Sequence, residues 1–382
     1  MGKKAATSKV IHRLFTALED NDTFVRLKAC RALGQIGEKA AVSEAINRLL
    51  TALKGNDSDI RSAACEALGQ IGERAATSEV IHQLISALGD NDTNVKLSAR
   101  RALSQIGEKA ATSEVIHRLI SALGDDDTNV RSSACEALGQ TDEKVTTSEV
   151  IHRLLTALED NDSDVRWSAC IALGHMGEKA ATSEAIHRLL TVLEDNNTLV
   201  RWSACEALGK MGEKAATNEV IHRLLTSLKD NDSDVRFSAC GALGQMGEKA
   251  ATSEVIHRLL SVLEDNDNDV RLSACVILGQ MGEKAATNEV IHQLISALRN
   301  SDWYLKMAAY TAIDCLINLL LLGTKKAQID TVSTIIMKIK IKIRQKWFYA
   351  FGNKKNVIYY FNQRVGEIGE GGTNVPELAV QM

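Results

Sequence analysis

The chain has 382 residues, of which 45% are hydrophobic and 25% charged, and its formal net charge is −4. This apolar content is enough for a core and argues against an intrinsically disordered chain. A single proline, Pro376, and few aromatic residues favour helix throughout. No apolar run reaches the roughly 18 to 20 residues that a membrane-spanning helix needs.

One unit of 35 residues recurs over about 320 residues, which predicts a solenoid in which each unit contacts only its neighbours. The start of the chain aligns with residues 211–217, so it falls inside a unit. We therefore expect a longer array, or self-association through an uncapped N-terminus. One position marks the register of the nine copies, and it holds His12, Asn47, His82, His117, His152, His187, His222, His257 and His292.

Each unit is predicted to be a helical hairpin, as residues 147–176 illustrate. The first helix (helix A) has apolar residues at the spacing of one helical face, and helix B begins at Asp162 or Ser163. Gly174 is expected to allow close approach of a neighbouring helix, and Gly177 to end helix B in a left-handed conformation. The predicted core of this unit is Val150, Ile151, Leu154, Leu155 and Leu158 in helix A and Val165, Ala169, Cys170, Leu173 and Met176 in helix B.

The segment Asp162-Ser163-Asp164-Val165-Arg166, followed by Ala169 and Ala172-Leu173-Gly174, resembles the HEAT repeat, in particular the short variety named for phycobilisome lyases. The resemblance covers residues 1 to about 320. It implies an all-α, HEAT-like superhelix, an α-solenoid of about nine hairpins. In HEAT repeats the turn aspartate and the helix-B arginine form a ladder between units. The implied ladder includes Asp162, Arg166, Arg201, Asp232 and Arg236, with weaker coupling at Lys96 and Lys306 because lysine cannot grip two acceptors at once.

Seven of the eight cysteines share one position of helix B, from Cys30 to Cys275. Neighbouring helices stack about 8–10 Å apart, which is farther than the roughly 4.4–6.8 Å between the Cα atoms of a disulfide. We therefore predict small buried thiols in a reducing compartment. The absence of a secretory signal agrees with this, and the predicted location is intracellular, in the cytoplasm.

The recurring histidines suggest a metal site, but copies on successive helices lie too far apart to hold one zinc ion, so we expect exposed side chains. The short HEAT units also resemble deoxyhypusine hydroxylase, whose family binds iron through His-Glu dipeptides. Here histidine is followed by Arg, Gln or Met. An iron-dependent oxidoreductase is therefore the disfavoured alternative, and no catalytic residue, metal or cofactor is predicted.

Helix B varies between copies mainly at four positions, represented by Asp164, Trp167, Ile171 and His175, which form one stripe on the helix. A stripe that varies is expected to face neither the core nor the neighbouring units. In HEAT-like solenoids the second helix lines the concave surface, so we predict a non-enzymatic scaffold that binds a protein or peptide there. The alternative is that the aromatic residues fill gaps between adjacent B helices. The predicted partner-binding residues are Trp167, Ile171, His175, Leu199, Trp202, Glu206, Phe237, Leu272 and Val276.

The balance of charged residues changes after Gly323. Residues 1–323 carry 35 basic and 45 acidic residues, so this array is predicted to repel nucleic acid. Residues 324–382 form a predicted basic, aromatic extension and tail. Its segment 331–366 has eight Lys or Arg and no Asp or Glu, which predicts weak attraction to an anionic partner.

Overall fold

The structure is a computed structural model that describes residues 8–40, 43–109, 113–140, 146–300 and 302–322. In these ranges the chain is all-α: eighteen α-helices pack as consecutive pairs with a period of about 35 residues, an α-solenoid of about nine repeats. The predicted fold class is therefore confirmed. The helices are α1 (Ser8–Leu18), α2 (Thr23–Ile36), α3 (Ser43–Leu53), α4 (Ser58–Ile71), α5 (Ser78–Leu88), α6 (Thr93–Lys109), α7 (Ser113–Ala122), α8 (Thr128–Gly139), α9 (Ser148–Ala157), α10 (Ser163–Met176), α11 (Ser183–Val192), α12 (Thr198–Lys210), α13 (Asn218–Ser227), α14 (Ser233–Gln245), α15 (Ser253–Val262), α16 (Asn268–Gln280), α17 (Asn288–Ala297) and α18 (Trp303–Leu322).

The odd-numbered helices are the A helices, and threonine caps most of them. In α9 the Thr147 side chain accepts the backbone N–H of Val150, which satisfies one of the donors that a helix start leaves free. Every predicted core residue of this helix is buried, from Val150 at 0% to Ile151 at 8% exposed. The spacing of the apolar residues therefore identified the buried face correctly.

The even-numbered helices are the B helices, and an aspartate or asparagine precedes each of them. In α10 the Asp162 side chain accepts the N–H of Asp164, and the helix begins at Ser163, as predicted. It ends at Met176, where Gly177 adopts a positive φ of 54°. Glycine takes this left-handed conformation without the steric cost of a Cβ. The predicted core residues of α10 are all buried.

Several pairs of successive B helices approach each other closely at a glycine near the end of the first helix of the pair. A Cβ placed on Gly139 of α8 would lie 2.5 Å from the Cα of Ala172 in α10. The same glycine-to-alanine contact recurs between Gly69 and Ala102 at 2.7 Å. At these two positions, which are equivalent to Gly174, the spacing leaves room for a backbone but for no larger side chain.

The contacts divide the chain into two compact units, Met1–Ala207 and Leu208–Met382, with the division inside α12. The predicted extension, residues 324–382, lies outside the described residues, as does the first copy's start at residues 1–7. None of the helices in the described ranges combines the length and the apolarity needed to cross a bilayer.

The repeated helix-B cysteines are free thiols inside the core, as predicted. Cys30, Cys65, Cys170 and Cys275 are each 0% exposed. Burial raises the pKa of the Cys30 thiol to about 11 and that of Cys170 to about 12, because a charged thiolate is poorly solvated there. These residues therefore act as small apolar side chains.

Candidate functional site

Most of the predicted partner-binding residues lie on helices α10 and α12, in the compact unit Met1–Ala207. His175 is exposed and Leu199 has 54% of its surface exposed, so these two side chains reach solvent as predicted. The other predicted residues on these helices are half-buried: Trp167, Ile171, Trp202 and Glu206.

The expected exposure of the aromatic residues was wrong. Trp167 and Trp202 occupy the repeat position of Ser62 and Ser132, and these serines show where that position points. The Ser62 hydroxyl lies 2.9 Å from that of Ser98, and the Ser132 hydroxyl 2.8 Å from that of Ser168, each on the next B helix.

The position therefore lies at the seam between adjacent B helices, which is the gap-filling alternative. The Trp167 Nε1–H agrees with this, because it is buried and has no hydrogen-bond partner among the described residues. A large ring at the seam covers the junction and leaves only part of its surface to solvent.

In the compact unit Leu208–Met382, Phe237 and Val276 are half-buried and Leu272 is buried, with 6% of its surface exposed. The predicted exposure of Leu272 is wrong, and this residue occupies the same repeat position as Trp167 and Trp202, at the seam between B helices.

Three large apolar side chains are strongly exposed in the described chain, and all occupy the second residue of a B helix. They are Phe24 at 62%, Leu199 at 54% and Tyr304 at 53%. Tyr304 was missed by the sequence analysis, although alignment of the ninth unit to the others places it at this position. The Lys28 ammonium lies 4.8 Å from the Phe24 ring centroid, a cation–π contact.

An arginine ladder joins successive units, but its acidic rung differs from the prediction. The Arg166 Nε donates to Oδ2 of Asp195 at 2.7 Å, and its Nη2 to Oδ1 at 2.9 Å. Its Nη1 also donates to the backbone carbonyl of Asp160 at 2.9 Å, in the turn before its own helix. Arg166 thus ties its own turn to the turn of the next unit.

Asp162 and Asp232 are not rungs, because their carboxylates cap their own helices at Asp164 and Asp234. The bridging aspartate stands two residues earlier in each turn. Arg201, another predicted rung, donates to the carbonyl of Asp195 at 2.9 Å. Bidentate pairs of this kind include Arg61–Asp90, Arg131–Asp160, Arg166–Asp195 and Arg236–Asp265.

The ladder is not uniform. Lys96 replaces the arginine in the third unit, and within the described part of the chain no ion pair joins it to Asp125. In the ninth unit Asn300 stands at the acidic position, and the Arg271 Nε is buried without a partner among described residues. At the second unit the acidic position is Gly55.

The ion pairs lower the pKa of the bridging carboxyls. Hydrogen bonds from the Arg61 guanidinium lower the pKa of Asp90, against the opposing effect of partial burial. Burial alone would raise the pKa of Asp195, but hydrogen bonds from Arg166 and the Asn197 N–H reverse this and lower it. In both pairs the charged carboxylate is the form that the folded protein favours.

We expect the free energy of unfolding to fall as the pH decreases below about 4. The unfolded chain binds these protons at a higher pH than the native chain, so stability increases with pH through this range. The contribution is complete above the ordinary carboxyl pKa and is lost as the pH falls through the lowered values of Asp90 and Asp195. Urea midpoints measured between pH 7 and 3 test this, with Asp195→Asn as a variant whose midpoint should fall less. Equal midpoints for the wild type across the range would contradict it.

The side chains that could hold a metal do not converge. All eight register histidines are exposed, as predicted. Across the described ranges, no group of three His, Cys, Asp or Glu side chains is arranged to hold a metal ion. An iron-binding centre therefore has no donor set in that part of the chain.

A partly buried pair of charges was missed by the sequence analysis. Arg100 occupies the repeat position of the buried cysteines, and its Nη1 lies 3.0 Å from Glu136 of the next unit. Burial raises the pKa of the Glu136 carboxyl, and Arg100 only partly offsets this. The break in the cysteine pattern at Arg100 is the signal that could have revealed this pair.

The chain was compared with known proteins. The profile of the family described as "Adaptin N terminal region" matches residues 6–339. The chain belongs to the adaptin N-terminal region family. It is a HEAT/adaptin-like repeat solenoid, and the narrower phycobilisome-lyase subtype is not shown. Among curated proteins, no sequence matches it significantly.

Solved structures share the fold of this adaptin-family chain. A Kap121p mutant superposes with a TM-score of 0.70 at 15% identity, covering 94% of this chain and 42% of that one. Kap95p, whose binding is described as inducing the switch loops of RanGDP to adopt the GTP-bound conformation, gives a TM-score of 0.65 at 15% identity, covering 95% of this chain and 52% of that one. Importin beta gives 0.64 at 18% identity, covering 86% and 48%. The chain thus spans about half the length of these proteins. HEAT-repeat solenoids of this kind are typical of protein-binding scaffolds.

Proposed function

We propose that this chain is a non-enzymatic scaffold that binds a protein or peptide segment along the exposed, concave face of its B helices. The observation that carries the proposal is the recurrence of exposed apolar side chains at one repeat position, on Phe24, Leu199 and Tyr304. Other copies hold a polar residue there, such as Asp59 or Asp164. Single exposed apolar residues are common on protein surfaces, so the proposal rests most on Leu199, which shares helices α10 and α12 with partly exposed aromatic residues.

The surface formed by α10 and α12, in the compact unit Met1–Ala207, supports the proposal best. Leu199 projects from the start of α12, and His175 is exposed near the end of α10. Between them Ile171, Trp167 and Trp202 each leave part of their surface to solvent. Half-buried aromatic rings held in a helix seam lose little side-chain entropy on binding, which favours them as anchors for an apolar partner residue.

The partner chemistry follows from these side chains. An apolar residue of the bound segment would contact Leu199, Ile171 and the exposed parts of the two tryptophans. Membership of the adaptin N-terminal region family agrees with a protein ligand, since protein binding is typical of HEAT-repeat solenoids. Phe237 and Val276 are also half-buried on B helices, and they form a separate surface in the compact unit Leu208–Met382.

The test is affinity capture from a lysate with quantitative mass spectrometry, comparing the wild type with Leu199→Asp. Because Leu199 is mostly solvated, the variant should fold normally, which circular dichroism would check. We expect at least a roughly tenfold loss of the captured partner, the size expected of a hot-spot residue. The matched control is Thr156→Asp, which places the same charge on the exposed face of an A helix. Equal capture by the wild type and Leu199→Asp would refute the assignment.

A further inference from the structure

The arginine ladder lacks one carboxylate where the first 35-residue repeat meets the second. Arg26 of α2 occupies the repeat position of Arg61, Arg131 and Arg166, but the residue 29 positions later is Gly55. The sequence therefore supplies the arginine of a bidentate ion pair and omits its carboxylate.

The donors of the missing rung are all present. In the complete rung, Arg131 donates from Nε and Nη2 to Asp160 at 2.8 and 3.0 Å. The same carboxylate accepts the N–H of Asp162 at 2.9 Å. At the first junction Arg26 Nη1 donates to the carbonyls of Asp20 and Asn21, as the other ladder arginines do in their own turns.

The remaining edge of Arg26 faces no carboxylate in the described structure. Its Nη2 donates to Oγ1 of Thr23 at 3.0 Å. Arg131 makes the equivalent bond to Thr128 at 3.5 Å while it holds its aspartate, so this bond leaves the edge able to bind an anion. Glycine at position 55 also leaves the N–H of Asp57 without the side-chain acceptor that Asp160 gives to Asp162.

A cavity of about 770 Å³ lies at this junction, lined by Arg26, Gly55 and Asp57 and by the apolar side chains of Leu18, Ala52 and Ile60. It holds far more than one carboxylate group. The apolar wall beside the free edge of Arg26 suits a short aliphatic side chain that is acidic at its end, as in aspartate or glutamate.

The other acidic groups of the lining do not exclude an anion. Glu19 and Glu44 both pair with Arg48, which also lines the cavity. The Asp57 carboxylate accepts the N–H of Ile60 at 3.1 Å and caps α4. At the Arg61, Arg131 and Arg236 rungs an equivalent capping aspartate stands two residues from the bound carboxylate, so this arrangement tolerates both charges.

We propose that this cavity binds a carboxylate, presented by an aspartate or glutamate side chain of an acidic segment of a partner protein. The bound group takes the place that Asp90, Asp160 and Asp195 fill in later units, with two hydrogen bonds from the Arg26 guanidinium and one from the Asp57 N–H. The site lies between the A–B turns of the first two 35-residue repeats. It is independent of the B-helix surface around Leu199.

The chain offers a variant that closes the site from within. Gly55→Asp restores the residue that other units carry. A Cβ at Gly55 meets only the carbonyl oxygen of Ala52, at 3.2 Å, and the backbone there does not have the positive φ that disfavours side chains. Gly124→Asp is the matched control, because it adds the same charge to the turn between helices A and B of another repeat, at a position that is not a rung.

The probe is the blocked tripeptide acetyl-Gly-Asp-Gly-amide, compared with its Asn analogue, by saturation-transfer NMR with the full-length protein. We expect the Asp peptide to bind the wild type and Gly124→Asp alike, and to bind Gly55→Asp and Arg26→Gln at least roughly tenfold more weakly, as befits the loss of a charge-assisted pair. The Gly55→Asp variant should also melt at a higher temperature than the wild type, which shows that its added carboxylate has reached Arg26.

Three outcomes would overturn the proposal. Equal binding of the Asp and Asn peptides would show that the carboxylate is not recognised. Unchanged binding to Gly55→Asp, in a protein whose melting temperature has risen, would place the peptide elsewhere. Displacement of the peptide by acetate or inorganic phosphate at the same concentration as the peptide itself would show a general anion site and not one for an acidic peptide segment. Loss of partner capture in Leu199→Asp has no bearing on any of these results.

Discussion

Replacing Arg166 by methionine is expected to lower the free energy of unfolding by about 2 to 4 kcal/mol, because it leaves the carboxylate of Asp195 without its counter-charge. The pair is well shielded, with 17% of the Arg166 side chain and 12% of the Asp195 side chain exposed. The substitution also removes the donor to the Asp160 carbonyl. The measurement is a urea titration followed by circular dichroism.

The control is Arg26→Met, the same change at a junction where Gly55 provides no carboxylate. It should cost about 1 kcal/mol, from the turn hydrogen bonds alone. Arg166→Lys should fall between the wild type and Arg166→Met, because lysine cannot make the bidentate contact. Combining Arg166→Met with Asp195→Asn in a double-mutant cycle isolates the pairwise energy. Equal losses for Arg26→Met and Arg166→Met would show that the bridge between units adds nothing.

A single methyl group at Gly139 is expected to destabilise the chain by about 1 to 3 kcal/mol, the usual cost of overpacking. The added Cβ would lie 2.5 Å from the Cα and 2.8 Å from the Cβ of Ala172, so only a shift of one B helix against the next could relieve it. The urea midpoint of Gly139→Ala compared with the wild type measures the effect.

Gly241→Ala is the matched control for this substitution. Gly241 lies inside α14, and a Cβ there would meet nothing within 4 Å. Alanine is the better helix former by about 1 kcal/mol, so this variant should be more stable than the wild type. If both variants shifted the midpoint in the same direction, close helix approach would not explain the glycine at position 139.

The fold could be predicted because burial follows a period. The spacing of Val150, Leu154 and Leu158 identifies one helix face, and the 35-residue recurrence shows that this face is covered in the same way in each copy. Helix starts at Ser163 and ends near Gly177 follow from local chemistry of capping and positive φ. Such features depend on residues that are close in sequence, so the sequence alone contains them.

The partner of each side chain across a junction could not be predicted in the same way. Most of these turns hold two aspartates two residues apart, such as Asp160 and Asp162, and composition does not distinguish the one that bridges from the one that caps. Only the position of Arg131 in the previous unit decides it.

The predicted exposure of the aromatic residues Trp167 and Trp202 was wrong for a related reason. Variation among Ser132, Trp167 and Trp202 shows that the position tolerates different volumes. A half-open seam does so as readily as a free surface, and only the hydroxyl contact of Ser132 with Ser168 distinguishes them.

The close glycine-to-alanine contact that joins several pairs of successive B helices has a consequence for how such a chain changes length. Gly34–Ala67, Gly69–Ala102, Gly139–Ala172, Gly209–Ala242 and Gly279–Ala312 are joined by the same close approach. Because these junctions are alike, a duplicated or deleted copy of 35 residues meets its new neighbour through an interface that already exists elsewhere in the chain. Unequal recombination within the coding sequence can therefore lengthen or shorten the protein by whole repeats at these junctions without changing their packing.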